Sequence, residues 1–319
     1  MSNKASQPRF DGNWIKAEFD NNPPFKVTPI SQFLNKKIPP REHLLKPWLP
    51  KQGLAMVYAP RGVGKTHFAL EVAVAVATGG EFLGWKAPFS LRVLYIDGEM
   101  PSADLQGRLK DIQKRTGLIP GDNLLIMTPD EQTGAMPDLS DPKSQALLQY
   151  YTDVDLVIVD NISTLCRTGN ENEAESWLTT QAWALRLRAE GKSVLFVHHA
   201  GKGGNQRGTS KREDTLDTVI ALKHPSDYKA KDGARFEVHF EKARGFSGED
   251  AEPLEVSLNI DEENGYQWNW EKIEDSIGKK ILKLKDEGLN QSEIADELGV
   301  NKSTVSRKMQ YLKAKGNLE

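Results

Sequence analysis

Five short, unbroken apolar runs, separated by stretches with helical periodicity, constrain this chain more than any other feature. They are Leu54–Tyr58, Arg92–Asp97, Asn123–Met127, Asp155–Asp160 and Ser193–His199. Runs of this length fit strands buried on both faces, and the helical stretches between them fit the crossovers of a parallel sheet. Asp217–Leu222 and Arg235–Ala243 extend the series. Glu252–Ile260 and Tyr266–Trp270 are expected to close the sheet as an antiparallel flap. The expected fold class is α/β, a mostly parallel sheet flanked by helices, with a small all-α unit after it.

The 319 residues suffice for one large domain and one small one. Prolines and asparagines crowd residues 1–50, which read as an extended arm with a short helix near Pro29–Lys36. The larger domain is expected over 51–270 and the helical unit over 271–319. Lys and Arg number 42 against 45 Asp and Glu, which excludes a polybasic binder, so contact with nucleic acid needs local basic patches. The single cysteine, Cys166, can form neither an internal disulfide nor a zinc cluster. The polar N-terminus does not resemble a signal peptide. The apolar stretch Phe68–Ala77 is short and interrupted by Glu71. A cytoplasmic protein without membrane contact is therefore expected.

Between the first run and the first helical stretch lies Ala59-Pro60-Arg61-Gly62-Val63-Gly64-Lys65-Thr66, followed by His67. It matches the phosphate-loop pattern except that Ala59 replaces the first glycine. A strand before it and a helix after it place backbone N–H groups and a helix N-terminus at the phosphates. Lys65 is expected to reach the β- and γ-phosphates of ATP, and Thr66 to bind Mg²⁺. A Cβ at position 59 would resist a positive φ there. Asp160 ends a buried run and is the expected acidic partner of Mg²⁺. The next residue is Asn161, so the carboxylate that activates water must come from elsewhere. Glu99, beside Gly98 at the end of the neighbouring run, is the first candidate and Asp97 the second.

An acid supplied from the second strand resembles the RecA superfamily more than the AAA+ class. Over Gly53–Gly248 the chain resembles RepA-type hexameric plasmid helicases, and more loosely DnaB-type replicative helicases. That resemblance implies a RecA-like ATPase domain using ATP and Mg²⁺ in a ring of identical subunits, expected to be a hexamer. It implies that His198 or His199 senses the γ-phosphate. It also implies that Lys242 and Arg244, in the segment Lys242-Ala243-Arg244-Gly245 that resembles the Lys-x-Arg-x-Gly of such rings, reach the nucleotide of the adjacent subunit. Arg207 is a second finger candidate. The glycine-rich segment Gly201–Arg212 carries Lys202, Arg207, Lys211 and Arg212. It suits a loop tracking single-stranded DNA in the ring centre.

The C-terminal segment reads as three helices. Ile273, Ile277, Ile281 and Leu284 line the first; Ala295 and Gly299 allow a close contact and a tight turn; Val305, Met309 and Leu312 line the last. This resembles a bacterial helix-turn-helix or winged-helix domain. Residues 301–315 hold Lys302, Arg307, Lys308, Lys313 and Lys315 without an acid. The resemblance implies duplex DNA contacts from Lys302, Ser303, Thr304, Ser306, Arg307 and Lys308. The whole reads as a DNA helicase or translocase, with a role in mobile-element replication implied by the family likeness. An ATP-gated DNA-binding regulator or loading factor is the alternative, and a recombinase-type filament is the third.

Overall fold

Continuous apolar runs become strands where both faces are covered, and a computed structural model of the chain places most of them in that setting. The structure describes residues 25–151, 153–167, 174–201, 213–261 and 265–314. The chain divides after Pro40. In the first unit, helix α1 spans Ile30–Leu34, within the stretch expected to be helical, and none of its residues is buried.

The second unit begins at Arg41. The expected arm thus ends ten residues early. Prolines in this stretch suggested extended chain, but Leu44, Leu45, Trp48 and Leu49 between them are fully buried. They form a small antiparallel pair, β1 (His43–Leu45) and β2 (Leu49–Pro50). Arg41 anchors it with two 3.1 Å bonds to the buried carboxylate of Asp217.

The main sheet has nine strands among the described residues: β3 (Leu54–Ala59), β6 (Val93–Asp97), β7 (Leu124–Met127), β8 (Leu156–Asp160), β9 (Ser193–His199), β10 (Thr218–Lys223), β11 (Arg235–Ala243), β12 (Leu254–Asp261) and β13 (Gly265–Lys272). A two-stranded hairpin, β4 (Glu81–Phe82) and β5 (Trp85–Lys86), lies apart from it. The sheet order is β13-β12-β11-β10-β3-β9-β8-β6-β7. The six strands from β10 to β7 pair in parallel, and β11, β12 and β13 continue antiparallel. Asn123–Met127 departs from its expectation. It supplies the edge strand β7, only half-buried, with Ile126 exposed.

Alternation divides the core. In β8, Leu156 and Ile158 pack on one face of the sheet, while Val157 and Val159 pack on the other. The first face is covered by α2 (Lys65–Thr78) and α3 (Ser102–Thr116), and the second includes Trp177 and Trp183 of α6 (Ala174–Ala189). Two shorter helices, α4 (Pro142–Leu148) and α5 (Ile162–Leu165), complete the α/β part.

Helix α2 is apolar almost all round because it is sandwiched: the sheet lies on one side and Trp48, Phe82 and Trp85 on the other. Glu71, in its middle, accepts hydrogen bonds from the Arg115 guanidinium and from Trp268 Nε1, the latter at 2.6 Å. Burial pushes its carboxyl pKa up, against the pull of Arg115.

The C-terminal helices α7 (Ile273–Asp286), α8 (Gln291–Leu298) and α9 (Lys302–Ala314) enclose their own apolar cluster of Ile281, Ile294, Ala295, Leu298, Val305, Met309 and Leu312. Asn290 caps α8 in a reciprocal box with Glu293, and Gly299 closes it with φ 62°. These helices are tied to the sheet. Lys280 reaches Glu255 at 2.8 Å and Asp227 at 3.4 Å, and Arg235 bridges the same two carboxylates.

Glu71→Ala leaves Arg115 without its anion and the Trp268 indole without its acceptor. A loss of about 3 kcal/mol is expected, read as a lower urea midpoint with an unchanged slope. A loss under about 0.5 kcal/mol would show that the trio does not hold α2, α3 and β13 together.

Candidate functional site

Parallel strands all end at the same edge, and pairing register sets which residues share that level. Ala59 pairs with His199, Asp97 with Asp160, and Asp160 with Val197. The loop after β3, the turn after β6, the acid ending β8 and the histidine ending β9 therefore meet around one cavity of about 720 Å³. Arg61, Gly62, Gly64, Lys65, Thr66, His67, Glu99, Asp160 and His199 line it.

Positive φ falls on Gly62 (81°) and Gly64 (122°), where a Cβ is disfavoured. A Cβ on Gly64 would also lie 3.2 Å from the Phe236 ring. Ala59 is the last residue of β3 and is not among the positive-φ residues. The expected penalty for alanine at this position does not arise. Pro60 and Val63 complete the loop, Val63 fully buried. Lys65 Nζ donates to the carbonyls of Ala59 at 3.1 Å and Pro60 at 2.9 Å. Burial lowers the pKa of its ammonium, while Asp160 and Glu99 oppose that shift.

Asp160 is 4% exposed. Tyr95 donates its hydroxyl to Asp160 Oδ2 at 2.7 Å, and the Thr66 side chain lies near enough to favour the charged carboxylate. Burial raises its pKa to about 6, with Asp97 adding to the rise and Tyr95, Thr66 and Lys65 opposing it. Thr66 and Asp160 offer adjacent hard oxygen donors, the set Mg²⁺ prefers. Beside them the buried Oδ1 of Asn161 has no hydrogen-bond partner among the described residues. This set fits a partly hydrated Mg²⁺.

The two candidate bases separate. Asp97 is buried, and its Oδ1 accepts the backbone N–H groups of Glu99 and Met100 at 2.8 and 2.6 Å, so it shapes the turn. The Glu99 side chain is 52% exposed and stands 3.8 Å from His199 Nε2. Burial, then Lys65, lowers the His199 pKa below its ordinary value. His67 is pushed down to about 4 by burial and then by Arg108. Both imidazoles are thus neutral near pH 7. His198 is fully buried in β9 and does not line the cavity.

Four lining residues were not site candidates from the sequence: Met100, Arg108, Asn161 and Ala234. Arg108 carried a usable signal. It falls between Leu105 and Ile112, both buried on α3, so a cation occupies the apolar stripe of an amphipathic helix. Tyr95 carried a second signal, since a tyrosine in a buried strand needs a partner for its hydroxyl.

Lys242 and Arg244 lie elsewhere. Ala243 pairs with Thr218, and Thr218 with Ala55, at the edge where β3 begins. At about 3.3 Å per residue the loop is more than ~13 Å further along. Lys242 Nζ donates to the carbonyls of Glu213 and Asp214, and Arg244 is exposed. Neither belongs to the cavity of its own chain. Lys202, Arg207, Lys211 and Arg212 lie outside the described residues.

Lys302, Ser303 and Arg307 are exposed on α9, with Thr304 and Ser306 half-buried. Lys308 departs from the expected DNA-facing set. Its side chain is only 12% exposed, pairs with Glu274 at 3.6 Å and lies over the Tyr311 ring, so it braces α9 against α7.

A parallel sheet with a glycine-rich loop, a buried lysine and a Thr–Asp pair at its strand ends defines a P-loop nucleotide-binding protein. A family model described as an AAA domain matches residues 21–205, more than half of the chain, and the protein belongs to that family of P-loop ATPases with a RecA-like core. The match ends before β10, so it covers neither Lys242 and Arg244 nor the C-terminal helices. No curated protein matches the chain significantly. No helix among the described residues is long and apolar enough to cross a membrane.

The raised pKa of Asp160 makes a sign-specific prediction. Folding raises it from 3.8 to about 6. The folded state then holds the proton more tightly, so stability falls as pH rises through that window and stays level above it. The penalty at pH 7.5 is on the order of 3 kcal/mol. Without Mg²⁺ and nucleotide, Asp160→Asn should unfold at higher urea than the parent at pH 7.5, with the gap closing toward pH 4. A variant less stable at pH 7.5 would contradict the buried, penalised charge.

Proposed function

We propose that the protein is an ATP-hydrolysing DNA motor, a helicase or translocase working as a cytoplasmic ring of identical subunits. The observation that carries this reading is the division of the machinery between two edges of one sheet. Lys65, Thr66, Asp160, Glu99 and His199 gather at the strand ends, while Lys242 and Arg244 stand at the opposite edge. A cation out of reach of its own nucleotide suits delivery to a neighbour, and head-to-tail contacts of that kind close rings. The likeness to RepA-type and DnaB-type helicases supports the same assignment.

In this reading Lys65 and the loop N–H groups hold the β- and γ-phosphates of ATP. Thr66 and Asp160 hold Mg²⁺, which supplies charge neutralisation at those phosphates when bound. Glu99, the exposed carboxylate at the cavity, takes the proton of the attacking water. His199, neutral and 3.8 Å from Glu99, senses the γ-phosphate. Arg244 from the next subunit stabilises charge on the transferring phosphoryl group, with Lys242 beside it. The segment Gly201–Arg212 tracks single-stranded DNA, and Lys302, Ser303, Thr304, Ser306 and Arg307 contact duplex DNA.

A second reading, ATP-gated duplex binding without unwinding, is favoured by one linkage. The connection between β10 and β11 touches both sites. Ala234 lines the nucleotide cavity, Ser226 Oγ donates to the Leu298 carbonyl of α8 at 2.6 Å, and Asp227 meets Lys280 of α7. A nucleotide-driven shift of this segment would move the C-terminal helices.

Strand displacement on a forked duplex separates the readings. The motor displaces the strand with ATP and Mg²⁺, and Lys65→Ala does not. ATP-dependent duplex binding without displacement would replace the motor by the gated binder. In either case, Lys302→Ala with Arg307→Ala should weaken duplex affinity about tenfold and make its salt dependence shallower, with DNA-free ATP hydrolysis unchanged. Unchanged duplex affinity would assign the C-terminal helices to protein contacts.

A further inference from the structure

We propose that Tyr95 is a positioning residue for the Mg²⁺ pair, holding the Asp160 carboxylate in the orientation that it shares with Thr66. The inference rests on the reading of Asp160 and Thr66 as the Mg²⁺ donors and adds a residue to it.

Tyr95 lies on β6 opposite Ile158 of β8, two residues short of Asp160. Both side chains face α2, on the face where Phe68 and Val63 also pack. Two residues of strand span about 6.6 Å, close to the reach of a tyrosine side chain, so the hydroxyl arrives at the carboxylate rather than at the strand backbone. The ring is fully buried, and its 2.7 Å bond ends on Asp160 Oδ2. Thr66 approaches the same carboxylate from the first turn of α2. The hydrogen bond from Tyr95 thus fixes Asp160 from β6, beside a Thr66 side chain that comes from a different element. A carboxylate fixed this way presents its remaining lone pairs in one direction, toward the cavity. Without the phenol it can rotate about its side-chain torsions, and the donor geometry Mg²⁺ demands is met only part of the time. Partners that orient a metal's ligands are commonly worth a factor of ten or more in affinity.

The test is a Mg²⁺ titration of the full-length chain, read by binding of a fluorescent ADP analogue, for the parent, Tyr95→Phe, Ile158→Val and Asp160→Asn. Tyr95→Phe keeps the ring and removes only the hydroxyl. Its analogue affinity in EDTA should match the parent, while the Mg²⁺ concentration at half-effect rises about tenfold. Ile158→Val trims the packing at the same register and should lower the urea midpoint without moving the Mg²⁺ half-effect. Asp160→Asn should lose the Mg²⁺ effect. If Asp160→Asn loses it and Tyr95→Phe behaves as the parent, the positioning role is overturned and the metal pair stands. If Asp160→Asn keeps the parental Mg²⁺ response, the metal pair falls and Tyr95 falls with it. Equal Mg²⁺ shifts in Tyr95→Phe and Ile158→Val would make Tyr95 a packing residue only, which also overturns the proposal.

Discussion

The parallel pairing of β8 between β6 and β9 is the constraint on which the rest depends. Parallel ladders fix every strand's C-terminal end at one edge. Here that edge collects Asp97, Asp160 and His199 with the loop that leaves β3 at Ala59. Parallel sheets are commonly covered on both faces, and two apolar clusters cover this one. The site also works against stability. Asp160 keeps a carboxylate where burial favours its protonation, and Lys65 keeps an ammonium where burial favours its loss. Each eases the other, and the Tyr95 and Thr66 hydroxyls add to that relief for the acid. Such groups are costly in a resting fold and suit a charged ligand with a cation.

The antiparallel extension gives the sheet its second chemical edge. Because β11 runs back along β10, it starts near the nucleotide cavity with Ala234 and Arg235 and finishes at Lys242 and Arg244 on the far side. One strand therefore begins beside a residue that lines the cavity and ends at the finger candidates. Arg235 joins Asp227, Asp232 and Glu255, and Lys280 of α7 shares two of these acids. Burial would raise the Glu255 carboxyl, but hydrogen bonds from Lys280, Ser276 and Arg235 carry it below the usual range. This charged cluster fastens the C-terminal helices to the ATPase core close to the nucleotide.

Much of this was legible in the sequence because local signals and tertiary context agree. Apolar runs marked the strands, Gly62 and Gly64 marked the loop, and acids at run ends marked the site. Where context decides, the sequence was less informative. Leu44, Leu45, Trp48 and Leu49 were hidden among prolines, which indicate extended chain but not what covers it. Asn123–Met127 has the composition of a central strand, yet only pairing could show that it lies at the edge. Lys308 belongs to a basic segment, and its burial against Tyr311 and Glu274 depends on how α9 meets α7. Arg108 and Tyr95 enter the site from positions that helical and strand periodicity assign to the core, so their only signal is a polar group on an apolar face.

Completion of the nucleotide site by a neighbour is the central claim, and mixing two inactive chains tests it most directly. Lys65→Ala and Arg244→Ala should each lack DNA-stimulated ATP hydrolysis. When they are mixed and subunit exchange is verified by native mass spectrometry, some interfaces join an intact loop to an intact finger. Partial activity should then return and vary with the mixing ratio. No recovery in mixed assemblies, or full activity of Arg244→Ala alone, would contradict a site shared between subunits.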